Sequence, residues 1–450
     1  MSGARRTAGP VARPSWTATG LPPTLARRRA SPSPRAPRQR SARRAVGGVR
    51  GASPRRPARQ PPRDRSGRRR SPAVGARRRA QLGFRQGVSA PLRLLCSAGE
   101  VSGDLLLAPV VQALLGRPGL RCLGQGGQAS EAAGLEMLGH VHEVATNGLL
   151  EVVERLPAVL RSIARLSLSM SRADVVLLVD APELNFRLQT VARLRGLPVY
   201  WLAPPQAWAW RPWRARDLRS ARRVLCTLPF EASFFVERGV DAHWVGHPAF
   251  ERGPLPPSPT PGLALLPGSR SSVTRRSLPI IARLARELSV RAPTLPLHVP
   301  VAPGLRVEAF VEAFAQEGVN VSLHNTVRAA LSSASAAVCQ AGTATLDCVA
   351  LGRPVITFAS LGRLSAAVAR ALVRVDHLAL PNLILGRRAF PELVFRPDAE
   401  PDFNALVDLA LDIVGRPEVY AEPLAEVALR MRVPEPYPFG ERVARHLNGP

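Results

Sequence analysis

The sequence predicts an α/β protein of two doubly wound, Rossmann-like domains facing across a cleft, preceded by an Arg-rich extension expected to be disordered. Three observations carry this. From residue 92 onward, short apolar runs alternate with amphipathic helical stretches, the grammar of parallel α/β architecture. A Pro-rich break at 254–262, PLPPSPTPG, is too rich in proline for helix or strand and divides that pattern into two similar halves. The first 90 residues are Arg, Pro, Ser, Gly and Ala with almost no aliphatic periodicity, so they cannot bury enough apolar surface to offset chain entropy.

Charge separates the same regions. The chain of 450 residues carries a net charge of +29, but residues 1–90 hold 24 of the 62 basic residues and a single acid, Asp64, so the other 360 residues carry only +6. Basicity therefore belongs to the extension, and nucleic acid is not an expected partner of the folded part. All 62 basic residues are Arg, which reflects GC-rich coding rather than a physical need, since Lys serves equally well on solvated surfaces. The extension admits three readings: a tail for nucleic acid or an anionic membrane, an Arg-rich transit peptide, or sequence upstream of a true start near Val88. The last is preferred. Five Cys form no C-x-x-C pair and read as small buried apolar residues of a reduced, cytosolic protein. No run of eighteen apolar residues is present, so no membrane-spanning helix is expected.

Taken in order, the first domain (91–253) has expected strands at 92–96, 174–179, 199–202, 224–227 and 244–245, with helices at 104–115 and 186–195. After the linker, the second domain (263–425) has expected strands at 263–266, 295–299, 319–323, 336–339 and 355–358. Between them fall helices at 274–290, 306–317, 327–332 and 343–351. The tail, 426–450, is expected to pack back on the first domain or on a partner subunit.

Ligands of such sheets bind outside the carboxyl ends of the strands, which directs attention to five loops. The first, SAGEVSGD (97–104), sets two glycines and two carboxylates between a strand and a helix; Ser102 or Asp104 suits a helix cap, while Glu100 sits ahead of the helix and is a candidate for chemistry. In DAPELN (180–185), Asp180 ends a buried strand that Pro182 stops, and Glu183 or Asn185 suits the start of the next helix. APPQAWAWR (203–211) brings Trp208 and Trp210 beside Arg211, either to line a groove for the acceptor and its acyl chains or to pack a domain face. LLPGSR (265–270) aims Ser269 and Arg270 at a helix N-terminus, where backbone N–H groups and a guanidinium fork suit a diphosphate. QAGTATLD (340–347) repeats that device with Gly342 and Thr343, and Asp347 lies one turn along, within reach of a ribose hydroxyl or simply solvated. No D-x-D pair or His/carboxylate cluster occurs, so no metal and no cofactor is expected; His247, in VGHP, is a secondary candidate for a base.

These loops, in this order, resemble the lipid-A-disaccharide synthase family. The resemblance rests on AGEVSGD (98–104), GQGG with AAGLE (124–136), NGLLEVVERLP (147–157), VDAPELNFRL (179–188) and QAWAWR (206–211) in the first half. LPFEASFF (228–235), VGHP (245–248), LLPGSR (265–270), AGTATLD (341–347) and LPNLILGRRAFPEL (380–393) carry it onward, nearly everything from residue 92 to 395. Departures are Glu183 and Leu184 where the family shows DF, Gln206 and Ala207 where it shows SV, Ala341 for Ser, and Asp347 for Glu, the last shortening the reach to ribose by one methylene. The resemblance implies a GT-B fold. It also implies inverting transfer from UDP-2,3-diacylglucosamine to 2,3-diacylglucosamine 1-phosphate (lipid X), giving the β-1,6 disaccharide 1-phosphate and UDP. Carried over by motif, it singles out Asp180 and Glu100 for catalysis and Ser269, Arg270 and Asn382 for UDP, and with it Ser102, Asp104, Trp208, Trp210 and Arg211 are assigned to the acceptor and acyl groove. It further implies peripheral attachment to the inner face of the inner membrane and a homodimer. The stretch 361–385 alternates apolar faces with Arg363, Arg370 and Arg374, which suits a membrane-surface helix or an ordinary packed one. Competing readings are another UDP-sugar transferase or epimerase of the same fold, and a nucleic-acid binder acting through the Arg-rich tail.

Overall fold

The computed structural model describes residues 92–144, 149–256, 258, 261–360, 376–395 and 402–448. The first 91 residues, and with them the readings of the extension and of a start near Val88, lie outside the described residues, as does 361–375, most of the amphipathic stretch.

Two parallel sheets organise the rest. The first runs β1 (Leu92–Ala98), β2 (Leu120–Gly126), β3 (Glu136–His140), β4 (Val175–Val179), β5 (Val199–Leu202), β6 (Arg223–Cys226) and β7 (Ala242–Trp244), in spatial order β3-β2-β1-β4-β5-β6-β7. The second runs β8 (Leu263–Leu266), β9 (Leu297–Pro300), β10 (Ser322–His324), β11 (Ala336–Gln340), β12 (Val355–Ser360) and β13 (Glu392–Phe395), in order β10-β9-β8-β11-β12-β13. Central strands such as β4, VVLLV, are buried at every position because helices cover both faces, which is why they read as unbroken apolar runs. In each sheet the order reverses at one place, between β1 and β4 and between β8 and β11.

Around the first sheet lie α1 (Val101–Leu115), α2 (Gln128–Ala132), α3 (Val141–Val144), α4 (Leu149–Ser169), α5 (Pro182–Leu194), α6 (Ala215–Leu218) and α7 (Pro229–Val236). Around the second lie α8 (Ser271–Arg291), α9 (Val307–Gln316), α10 (Val327–Ser332), α11 (Ala344–Ala350), α12 (Leu380–Leu385), α13 (Phe403–Gly415) and α14 (Ala421–Arg430). The last helix, α15 (Phe439–Asn448), returns to the first sheet, where Phe439, Val443, Ala444 and Leu447 join the core formed by β1 and α1. A Cβ on Gly440 would fall 2.0 Å from the Pro109 carbonyl oxygen, so only glycine lets α15 lie this close to α1. Arg117 donates to Glu441 at 2.8 Å and Arg442 to the Val245 carbonyl at 2.8 Å, fixing the returning helix at both faces.

Three differences from the sequence expectation stand out. Strands β2, β3 and β13 were not foreseen: β3 and β13 are edge strands with polar, half-exposed positions, and β2 is interrupted by glycine. Gly124 has φ +155, and a Cβ there would stand 1.9 Å from the Cys96 carbonyl oxygen, so the residue that hides the strand from its apolar pattern is the one that lets it pair. Helix α1 begins at Val101 rather than 104, and α5 at Pro182 rather than 186, so the first two loops are shorter than expected. The start of the Pro-rich linker is held to the second sheet's half, where Leu255 N–H donates to the Leu351 carbonyl at 3.0 Å and Arg353 to that of Pro256 at 2.6 Å. Among the described residues no helix is long and apolar enough to cross a membrane. All five cysteines are buried and free.

Candidate active site

The loops that leave β1, β4, β8 and β11 are those at the two points of strand reversal, where such sheets open a crevice. In the first sheet the two loops touch: a Cβ on Gly99 would lie 2.4 Å from that of Ala181. Asp180 and Ala181 both take left-handed backbone, φ 49 and 43, which costs a residue with a side chain of order 1–3 kcal/mol each. Asn185 holds that conformation. Its amide donates to the carbonyls of Asp180 at 2.7 Å and Val179 at 3.1 Å, and it accepts the Ser97 hydroxyl at 2.7 Å. The result presents the Asp180 carboxylate to the crevice, with the Ser102 hydroxyl 3.4 Å from it.

Facing it from the second sheet is Arg270, immediately before α8. Its Nε donates to Glu100 Oε2 at 2.8 Å and its Nη2 donates to the same oxygen. Glu100 occupies the N-cap position of α1, yet its carboxylate caps nothing and spans to the other sheet instead. Burial pushes the Glu100 carboxyl up and the Asp180 charge adds to this, while Arg270 opposes both. For Arg270, burial disfavours the charge, but the two carboxylates outweigh it and hold the guanidinium above its ordinary value. Its side chain remains 47% exposed and Glu100 19%, so the pair sits at an open mouth. Ser269 is exposed beside it. The loop below is pinned, since Thr274 Oγ1 donates to the Gly268 carbonyl at 3.1 Å and Ser277 Oγ to that of Pro267.

At the second reversal loop, Gly342 and Thr343 are exposed at the start of α11. Burial raises the Asp347 carboxyl to about 7, and no hydrogen-bond donor among the described residues reaches it.

The two tryptophans of the third loop part company. Trp210 lies under Arg211 at 4.3 Å and beside Arg214 at 5.5 Å, and Glu183 pairs with both, at 3.6 Å and 2.5 Å. Trp208 turns the other way, donating its indole N–H to Glu231 Oε1 at 2.9 Å and meeting Phe230 edge-on at 4.9 Å. Glu231 is fully buried and burial raises its carboxyl to about 7. Sequence reasoning passed it over: Pro229 followed by Glu231 is a helix-start signature, and nothing local announces a contact with a tryptophan 23 positions earlier.

Three of the residues singled out by sequence turn to other work. Asp104, assigned to the acceptor groove, is buried and accepts the backbone N–H groups of Gly127, Ala129 and Ser130 at 2.7, 3.0 and 3.0 Å; it holds the start of α2. Asn382, assigned to UDP, is fully buried with both ends of its amide occupied. It donates to the Phe390 carbonyl and Glu392 at 2.8 Å each and accepts from Ala389 and Phe390 at 2.9 Å each, which leaves nothing for a ligand. His247 accepts the Ala249 N–H on Nδ1 at 3.2 Å, which occupies the acceptor nitrogen of its neutral ring, and burial lowers its pKa to about 4, so it is poorly placed to take a proton.

The arrangement can therefore do two things: take a proton from a hydroxyl on one wall, and neutralise an anionic leaving group on the other. S. aureus MnaA, solved with UDP, superposes with TM-score 0.54 at 12% identity over 79% of this chain and 96% of its own. The spinosyn rhamnosyltransferase SpnG, solved with thymidine diphosphate, does so with TM-score 0.52 at 14% identity over 80% of this chain and all (100%) of its own. At such identities these show the fold alone, which is GT-B. Lipid-A-disaccharide synthase of Myxococcus xanthus is 37% identical over 321 residues, 68% of this chain and 84% of its own. Since a family model described as lipid-A-disaccharide synthetase also matches residues 94–408, the chain belongs to the lipid-A-disaccharide synthase family of glycosyltransferases.

Proposed function

We propose that the crevice between the two sheets transfers 2,3-diacylglucosamine from its UDP derivative to the 6-hydroxyl of 2,3-diacylglucosamine 1-phosphate, with inversion. Asp180 accepts the hydroxyl proton as the oxygen attacks the anomeric carbon, and the bond to UDP breaks. Arg270, with Ser269 and the amides at the start of α8, receives the diphosphate; Gly342 and Thr343 add donors, and Asp347 faces the ribose. One observation carries the reading: two carboxylates of one sheet and one guanidinium of the other share a single opening, joined by the Glu100–Arg270 pair. A diphosphate arriving at Arg270 competes with Glu100 for the same fork and would release that carboxylate toward the acceptor, which makes Glu100 the rival base.

Turnover of the two lipid substrates by Asp180→Ala tests the assignment. Activity is expected to vanish while the thermal midpoint stays near that of the parent, because among the described residues the carboxylate's hydrogen bond is a long one, 3.4 Å, to Ser102. A variant that keeps most of its turnover removes Asp180 from the role and passes it to Glu100. Peripheral attachment to the inner face of the inner membrane and a homodimer belong to the same reading and are supported by family membership. Flotation with anionic vesicles and analytical sedimentation test them.

A further inference from the structure

Glu231 has no part in the chemistry above, yet it is buried to 3% exposure where the loops leaving β5 and β6 meet. Its Oε2 accepts the N–H groups of Thr227 at 3.1 Å and Leu228 at 3.0 Å, an ordinary helix-start arrangement. Its other oxygen is used differently, because it takes the indole N–H of Trp208 from the neighbouring loop at 2.9 Å. Trp208 and Phe230 both pack against the apolar core of the second sheet, and Leu228 is counted within it, so this small group lies on the seam between the two halves. Phe230 also lines an interdomain groove of about 410 Å³ with Leu383 and Ile384 of α12.

We infer that Glu231 is a positioning residue for glycosyl transfer: by fixing the Trp208 indole within the face that the first half presents at the seam, it sets how the wall bearing Asp180 stands relative to the wall bearing Arg270. The reason is geometric. A carboxylate alone among side chains of this shape can accept all three N–H groups at once, two on one oxygen and one on the other. Glutamine in its place keeps the size but turns one donor toward a donor, whichever way the amide faces. The backbone pair and the indole then cannot both be satisfied, and the ring loses its tether. Small misplacements of reacting groups lower turnover more than binding, because near-attack geometry is lost while contacts to each substrate persist.

The test compares Glu231→Gln, Trp208→Phe and the double variant. Each single change is expected to lower kcat about tenfold with KM for both substrates little changed, within the range such misplacement produces. The double variant should be no worse than either single one, since both remove the same contact. Parental kcat in Glu231→Gln, multiplicative losses in the double variant, or a loss residing in KM would each overturn the inference. The kinetic comparison rests on the glycosyl-transfer reading, so a second measurement is independent of it. In protein labelled with ¹⁵N-tryptophan, the indole N–H resonance that disappears in Trp208→Phe should lie downfield in the parent and move upfield in Glu231→Gln. A resonance that stays in place would show that no tether exists. Should the parent show no turnover of the lipid substrates, the functional reading fails while the resonance still decides the tether.

Discussion

Asp347 shows how burial, rather than residue type, decides what a carboxyl does. In the unfolded chain it releases its proton from about pH 4 upward, whereas in the fold burial holds it protonated to about 7. The folded state therefore binds the extra proton between these values, so this residue's effect on stability is neutral below about pH 4, grows unfavourable as pH rises to about 7, and is constant above. Asp347→Asn removes that dependence. It is expected to raise the thermal midpoint at pH 8, by an amount corresponding to a few kcal/mol at most, and to leave it unchanged at pH 4; equal shifts at both values would contradict the account. At this scale the candidate residues that the structure gathers at one opening were legible beforehand. Glu100, Asp180, Ser269 and Arg270 stand at strand ends, and a strand end is a local property of sequence. Asp104 and Asn382 were misread for the opposite reason: a short polar side chain near a ligand and one that ties down a turn look the same until its partners are known, and those partners lie 23 to 26 residues away for Asp104.

Elements divide by how many of their faces are covered. Strands β1, β4, β8 and β11 lie inside their sheets, carry apolar side chains on both faces and were found from their runs alone. The edge strands β3 and β13 are half polar, and β2 gives up its pattern at Gly124 so that the chain can pass close to Cys96. Helix α15 belongs to the first sheet although the whole second half of the chain intervenes. Its Phe439 is fully buried in that core. Phe439→Ala should destabilise the protein by about 3–5 kcal/mol, the usual loss for a buried aromatic, read as a lowered urea midpoint. A change below about 1 kcal/mol, the level of surface substitutions, would mean that the helix is not docked there in solution.

For the whole molecule, the proposed activity rests on two sheets presenting complementary charge to one opening, and the family model matches residues 94–408, which hold both sheets apart from the start of β1. A chain starting at residue 88 is therefore expected to retain its specific activity, assayed with both lipid substrates. Loss of turnover on removing residues 1–87 would give the Arg-rich extension a part in catalysis, and loss of nucleic-acid affinity with activity intact would give it a separate one. By itself the sequence determined the α/β class, the two halves, the family and which loops to propose for the chemistry, because each is written in short-range periodicity or in contiguous motifs. Only the tertiary structure decided that Arg270 meets Glu100, that Glu231 holds Trp208, and that Asp104 and Asn382 are already occupied. The first three are contacts between residues 23 to 170 positions apart, set by how sheets and helices pack, while Asn382 closes a turn 7 to 10 residues long whose three-dimensional course no apolar periodicity records.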